Sequence, residues 1–277
     1  MSEVSATRFS GKKEIEWVGA ITITVSHLIA IYGAIYHFSW VNLLLAFVLY
    51  FITGLGITMG YHRYFTHRGF EASPILRRAL AIMGTLSFQG PLKKWVYDHR
   101  LHHAASDEVD DPHSARHGGL FWSHFGWLFF KPNYTKKQLS SYAKLMVDFK
   151  NDKFMDTISK PLPYLLINGA FAALIFALFG FGGLLWGVFV RMVWTWHCTW
   201  SINSIGHKFG YRNFETSDDS TNQIVIGILA LGEGFHNNHH ASGMRARHGL
   251  YPHEPDITYG VIWICEKLGL LKNIIKD

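Results

Sequence analysis

Cysteine is almost missing from the 277-residue chain: Cys198 and Cys265 are the only two, both among apolar neighbours. They supply neither a disulfide framework nor a thiolate metal site, and they fit a reducing compartment. Charge is sparse at 17%, and two connecting stretches, Phe38-Ser39-Trp40 and Gly180-Phe181-Gly182-Gly183, carry none. No His-Glu-x-x-His occurs, which removes the zinc-peptidase pattern, and no candidate nucleophile stands out. Gly54-x-Gly56 lacks the strand–turn–helix setting of a dinucleotide loop. No small-residue cleavage site follows the first apolar run, so a removed signal peptide is not expected.

What the chain does have is long apolar runs and many aromatics (Phe 21, Tyr 12, Trp 10). Residues 15–37, 41–59, 162–181 and 183–204 are each apolar over about the ~20 residues a membrane-crossing helix needs. The uncharged links make two antiparallel hairpins of them. Lys and Arg fall in three places: 3 in the arm to residue 14 (Arg8, Lys12, Lys13), 15 in residues 60–160 and 7 in residues 206–277. Arg191, inside the fourth run, is the remaining one. The positive-inside rule then puts arm, middle and tail on the cytoplasmic side. This distribution accounts for the net charge of +6 without a nucleic-acid partner.

The expected architecture is a single all-α integral membrane domain, with four transmembrane helices in two hairpins. A cytosolic helical cap would be formed by residues 60–160 and 206–277. Residues 75–91 and 120–130 are too short or too charged to span, and suit surface helices or a covering for the polar part. Residues 222–235 read as an interfacial run, and 257–275 as an amphipathic helix. Gly56-x-x-x-Gly60 at the end of the second run admits a close helix neighbour, or leaves room for a ligand chain.

Seventeen histidines are unevenly placed. His99, His102 and His103 have the i, i+3, i+4 spacing of one helix face and would present three imidazoles to one point. His236, His239 and His240 repeat the spacing. His62 with His67 forms a third group, and Asn203 with His207 a fourth. Each group lies at or beyond the end of an apolar stretch, on the same side of the membrane.

Imidazole suits zinc, copper, iron and nickel. Nine histidines exceed the three or four ligands of one zinc site but fit two metals with four or five nitrogens each. Redox-inert zinc makes little sense without a hydrolysable substrate, whereas two irons that activate dioxygen fit. The soluble di-iron pattern, with paired Glu-x-x-His motifs on a four-helix bundle, is absent, so ligation would be all-nitrogen.

At this point the motifs resemble those of a family, the membrane acyl desaturases, and most nearly the stearoyl-CoA and acyl-lipid Δ9 desaturases. The likeness lies in Gly56-Ile57-Thr58-Met59-Gly60-Tyr61-His62-Arg63-Tyr64-Phe65-Thr66-His67 and in Asp98-His99-Arg100-Leu101-His102-His103. It extends to Asp111-Pro112-His113, Ser123-His124-x-Gly126-Trp127 and Asn203-Ser204-x-x-His207 with Gly210-Tyr211-Arg212. It ends with Gly232-Glu233-Gly234-Phe235-His236-Asn237-Asn238-His239-His240.

The resemblance implies nine metal ligands: His62, His67, His99, His102, His103, His207, His236, His239 and His240. Asn203 would hold a water at one of two iron ions. It also implies oxygen-dependent insertion of a cis double bond into a saturated acyl chain carried on coenzyme A, carrier protein or lipid. Electrons would come from a separate donor of the ferredoxin or cytochrome b5 type, since no haem-binding extension follows the core. That bare core leans towards a prokaryotic plasma membrane. The competing expectations are a related di-iron membrane hydroxylase or acetylenase and, more remotely, a non-enzymatic metal-binding membrane protein. An unactivated methylene has no acidic proton, so acid–base groups alone cannot remove its hydrogens and a cofactor must supply the oxidant.

Asp98, Asp111 and Glu233 adjoin the histidine groups and are expected to orient imidazoles through their second ring nitrogen. The run Asp107, Glu108, Asp110 reads equally as a solvated face. His113 and His124 would stand behind ligands, and His27 and His37 would be structural. Trp194, Trp196 and Trp200 would line a dry acyl tunnel or form an interfacial belt. Arg191 has room to snorkel. Arg63, Arg68, Arg77, Arg78, Lys93 and Lys94 would hold a phosphorylated head group or attract anionic lipid.

Overall fold

The computed structural model describes residues 13–132 and 134–277; Arg8 and Lys12 of the basic arm lie outside the described residues. The fold is mostly helical. Helix α1 (Trp17–Tyr36) and α2 (Trp40–Leu55) are separated by Ser39, whose hydroxyl accepts the Asn42 N–H at 3.1 Å and starts the second helix. α2 runs without a break into an 11-residue π-helix, Gly56–Thr66. α3 (Pro74–Thr85) begins with a serine cap and a proline in its first turn, the arrangement that suits a helix start. α4 (Leu92–Ala104), α5 (Ala115–His124), α6 (Lys136–Leu145) and α7 (Lys153–Ile158) follow. α8 (Pro161–Leu184), a π-turn at Leu185–Val190 and α9 (Arg191–Ser204) come next. α10 (Ile224–Leu229), α11 (His236–Ala241) and α12 (Ile257–Lys267) complete the helices.

Among the described residues, three helices are long and apolar enough to cross a membrane: Trp17–Tyr36, Trp40–Thr66 and Pro161–His207. Their outer faces are bare: Val18, Leu28, Trp40, Leu44, Phe47 and Leu166 are all more than 60% exposed. Water does not tolerate so large a continuous apolar surface, but lipid does. The 47-residue third helix is not straight. Gly180 has φ 66° and ψ −165°, a conformation glycine adopts without steric cost. Beyond it the chain reverses, so that Gly187 packs on Ile175 and the Arg191 guanidinium lies 5.6 Å from the Phe171 ring.

The long apolar helices are pinned together by buried polar contacts. Trp186 Nε1 donates to Gly33 O at 2.9 Å. Arg191 does not snorkel: it is 2% exposed and donates to Gly187 O, Thr53 Oγ1 and Leu86 O, each at 2.9 Å. A guanidinium this deep is tolerated because its donors meet acceptors on three segments.

The polar half has its own core around the π-helix, with Tyr61, Leu80, Leu92, Val96, Met155 and Ile262 fully buried. Gly56 and Gly60 fulfil the close-packing expectation against α3. A side chain on Gly56 would overlap the Met83–Gly84 backbone, and one on Gly60 would crowd Leu80. The last segment departs from the expected long helix. α12 ends at Gly269 (φ 71°), and Leu271–Lys272 forms a short antiparallel ladder with Glu71–Ala72. The fold is therefore helical with one two-residue pairing.

Candidate metal centre

Nine imidazoles converge in two sets. His62, His67, His99, His103 and His239 form one, and His102, His207, His236 and His240 the other. Within each set the ligand-capable atoms lie within 4.8 Å of one another.

The division differs from the expectation that each i, i+3, i+4 triplet serves one point. On α4, His99 and His103 go to the five-residue set while His102 goes to the four-residue set. On α11, His236 and His240 serve the four-residue set and His239 the other. Helix geometry gives the reason: residues four apart lie about 40° apart around the axis, whereas consecutive residues lie about 100° apart. Each short helix thus straddles both centres.

His62 and His67 are five apart, which on an α-helix would turn them about 140° away from each other. The π-helix removes this difficulty. His67 N–H donates to His62 O at 3.1 Å, an i to i+5 bond, and the wider turn brings both rings onto one side with centroids 4.8 Å apart. Wide helical turns of this kind recur at functional sites.

Carboxylates hold the outer ring nitrogens. His102 Nδ1 is 3.0 Å from Asp111, His207 Nδ1 2.7 Å from Asp107 and His240 Nδ1 2.7 Å from Asp218, while His62 Nδ1 bonds Glu233. Glu233 in turn takes Arg63 Nε at 2.9 Å, and Arg63 also reaches Asp256 at 2.9 Å. Burial disfavours charge on Glu233 and Asp111, yet Arg63 and His62 beside the first, and His102 and His113 beside the second, hold both carboxyls below the usual range.

Carboxylates in these places keep the imidazole protons on Nδ1 and leave the Nε2 lone pairs pointing inward. Those inner nitrogens face one another. His236 Nε2 is 3.0 Å from both His207 Nε2 and His240 Nε2, and His239 Nε2 is 3.1 Å from His62 Nε2 and 3.0 Å from His103 Nε2. His67 Nε2 and His102 Nε2 are buried with no hydrogen-bond partner. Lone pairs turned on lone pairs repel unless a cation sits between them, so the donor set fits metal ions. Burial is the main reason that His67, His99, His103, His236 and His239 are held well below the ordinary imidazole range, and His240 at about 4. All are neutral, as ligands must be.

One expectation is corrected and two open alternatives are decided. Asp98 does not orient a histidine; its carboxylate accepts from Lys94 and Tyr134, both at 2.5 Å, because position 98 turns away from the face His99 occupies. Asp107 is not solvated: it is 1% exposed and bonds His207. Trp194 is 48% exposed, edge-on to Tyr50. His113 stacks beside His102 and takes its place near Asp111, whereas His124 bonds His197 and Ser204 instead.

Asp218 and His248 were missed altogether. Asp218 lies 22 residues before its partner with no local signal. His248 is isolated in sequence, yet buried against His239 and 3.5 Å from Glu233. The basic residues offered for a head group are mostly occupied: Arg63, Arg68, Arg77, Lys93 and Lys94 all pair with carboxylates.

A cavity of about 850 Å³ meets both sets through His62, His99 and His236, with Asn203 on its wall. Trp95, Trp196, Trp200, Gly54 and Tyr50 also line it. Its size suits a long flexible ligand.

The fatty acid desaturase family model matches residues 38–256. The chain belongs to that family. It is 40% identical over 267 residues to an sn-1 stearoyl-lipid 9-desaturase of Anabaena variabilis, covering 96% of each chain. An sn-1 stearoyl-lipid 9-desaturase of Synechocystis sp. is 42% identical, over 93% of this chain and 80% of the relative. An icosanoyl-CoA 5-desaturase of Limnanthes douglasii is 38% identical, over 92% and 71%. This desaturase is an oxidoreductase that introduces a double bond into a fatty acyl chain.

Proposed function

We propose that this desaturase is an oxygen-dependent di-iron enzyme that places a cis double bond at position 9 of a saturated acyl chain esterified to a membrane lipid. The observation that carries the di-iron reading is the pair of histidine sets with inner nitrogens converging, the outer nitrogens of His102, His207 and His240 in one set and of His62 in the other being held by carboxylates. Lipid as the carrier and position 9 follow the two cyanobacterial relatives. The nine histidines are the metal ligands, with Asn203 acting through a water one helical turn before His207. Two irons held there supply the oxidising power, from dioxygen, that an unactivated methylene requires.

The rest is done by the chain's own residues. The acyl chain lies in the cavity past Trp196 and Trp200, whose rings exclude water and hold one pair of methylenes near the metal sets. Tyr50, bonded to Leu229 O, fixes the inner end. Asp107, Asp111, Asp218 and Glu233 keep the imidazoles of His207, His102, His240 and His62 aimed and their protons on the outer nitrogens.

Four spans in two hairpins support this placement, since a straight 47-residue helix would be about 70 Å long against a hydrocarbon layer of about 30 Å. By the distribution of Lys and Arg the site faces the cytoplasm, in a prokaryotic plasma membrane. Electrons come from a separate one-electron carrier.

Expression in a host that supplies such a carrier, with lipid fatty-acid profiling, tests the reading. The expected outcome is a rise in cis-9 unsaturated chains that His103→Ala abolishes. An unchanged profile with intact, metal-loaded protein rejects it, and chains heavier by one oxygen assign hydroxylation instead.

A further inference from the structure

The four-histidine set comes close to the surface at one place. A cleft of about 320 Å³, separate from the acyl cavity, is lined by Ala115, Arg116, His207, Lys208, Arg212 and Asp219. His207 therefore has two roles in the geometry: its ring belongs to the metal set, and it also forms the floor of a polar cleft.

The cleft is basic. Asp219 is its one carboxylate, and Arg116 already neutralises it through two bonds of 2.7 and 2.8 Å. Glu108 also acts on Arg116 from nearby. Asp107 and Asp218 point inward to His207 and His240. Arg212 donates to Asp218 O, Thr216 O and Thr216 Oγ1 but pairs with no carboxylate. Lys208 is exposed. Among the described residues, two cations are thus left without a carboxylate partner beside a histidine of the metal set.

A continuous bonded route also runs inward from this surface. Arg116 holds Asp219. The Asp219 backbone N–H donates to Asp107 Oδ2 at 2.8 Å, and the same oxygen lies 2.7 Å from His207 Nδ1. Every step is a short hydrogen bond or a covalent link, from a half-exposed ion pair to a buried imidazole. Electron tunnelling weakens steeply with distance and prefers bonded paths to gaps, so a route of this kind favours an electron arriving from outside at this cleft.

We propose that this cleft, centred on Lys208 and Arg212 beside His207, is the docking site of a small acidic electron-carrier protein, and that the Arg116–Asp219–Asp107–His207 route conducts its electrons. The proposal rests on the reading of the protein as a desaturase fed by an external carrier, and it says where that carrier binds. The balance is complete: each encounter oxidises one reduced carrier by one electron. Two electrons and two protons, together with the two hydrogens of the acyl chain, reduce one dioxygen to two waters. Complementary charge steers such short-lived encounters, whose interfaces are small and weaken with salt.

The test uses the full chain, metal-loaded in lipid nanodiscs, and a plant-type ferredoxin as the probe. Ferredoxin binding and ferredoxin-driven turnover are measured for the intact protein, for Lys208→Glu with Arg212→Glu, and for Lys137→Glu with Lys144→Glu on α6 as a charge-matched control. The cleft pair is expected to weaken ferredoxin binding by about tenfold or more at low salt. Turnover driven by dithionite, which needs no docking, should stay unchanged, and the control pair should bind as the intact protein does.

Equal loss in the control pair overturns the proposal, as does unchanged binding in the cleft pair. So does competition by inorganic phosphate for the cleft with no effect on ferredoxin. Absence of any turnover with dithionite in the intact protein counts against the desaturase reading, while the binding comparison still decides the docking site.

Discussion

His207 and Asp107 are joined through Nδ1 and Oδ2 at 2.7 Å, both almost wholly removed from solvent. The carboxylate comes from the turn after α4, a hundred residues earlier in the chain, and it also accepts the Asp219 N–H.

Asp107→Asn keeps the size and one hydrogen bond but loses the charge that fixes the imidazole proton. Metal affinity at the four-histidine set is expected to fall about 10- to 100-fold, with the five-histidine set retaining its ion. Metal titration of the stripped protein, followed by mass spectrometry of bound ions, reads this directly. Two ions held as tightly as before would show that Asp107 has no part in holding them.

Arg191→Met removes a fully buried guanidinium and leaves Thr53 Oγ1 and Leu86 O without their donor. Each unsatisfied acceptor costs about 1–3 kcal/mol, so a clear fall in the thermal midpoint in detergent is expected while the metal content of folded protein is kept. An unchanged midpoint would mean that methionine packing makes up for the lost bonds.

Metal-free protein is expected to lose stability as the pH falls, in two stages. Burial holds His67, His99, His103, His236 and His239 neutral in the fold, and His240 down to about 4. The unfolded chain therefore binds more protons below about 6.5. The contribution of these residues is complete above that value and declines below it. His102 acts in the opposite sense: burial opposes its charge, but Asp111 raises it, so its contribution is lost as pH rises.

The second stage belongs to Asp107, Asp111, Asp218 and Glu233, whose carboxyls are lowered in the fold despite burial. Their stabilisation is present above the ordinary carboxylate range near about 4 and disappears beneath it. Thermal midpoints of stripped protein at pH 8, 6 and 4.5 should decline in order. A flat profile from 8 to 5.5 would contradict the histidine stage.

Much of this was legible in the sequence, because apolar run length and histidine spacing are local properties. The runs, the close helix approach at Gly56 and Gly60 (though not its partner, α3) and the histidine groups could all be read without coordinates. The division of each triplet between two centres could not, since spacing says which residues share a face but not that two targets flank the helix. The i, i+5 relation of His62 and His67 was hidden because a π-helix has no sequence signature comparable to an α-helical stripe. Asp218 and Asp107 were hidden because a carboxylate's partner is set by how loops fold back. The placement of Arg191 stayed open because its acceptors, Thr53 and Leu86, lie on other segments.

The ligand sets draw on residues from 62 to 240, and neither set is complete until α11 exists. A ribosome making this chain releases the first histidines long before the last. Ions arriving early would find only fragments of a site, with imidazoles free to pick up the wrong metal. For the proposed di-iron enzyme, loading would therefore wait for the end of synthesis and membrane insertion, with a metal-free form as the stage before it.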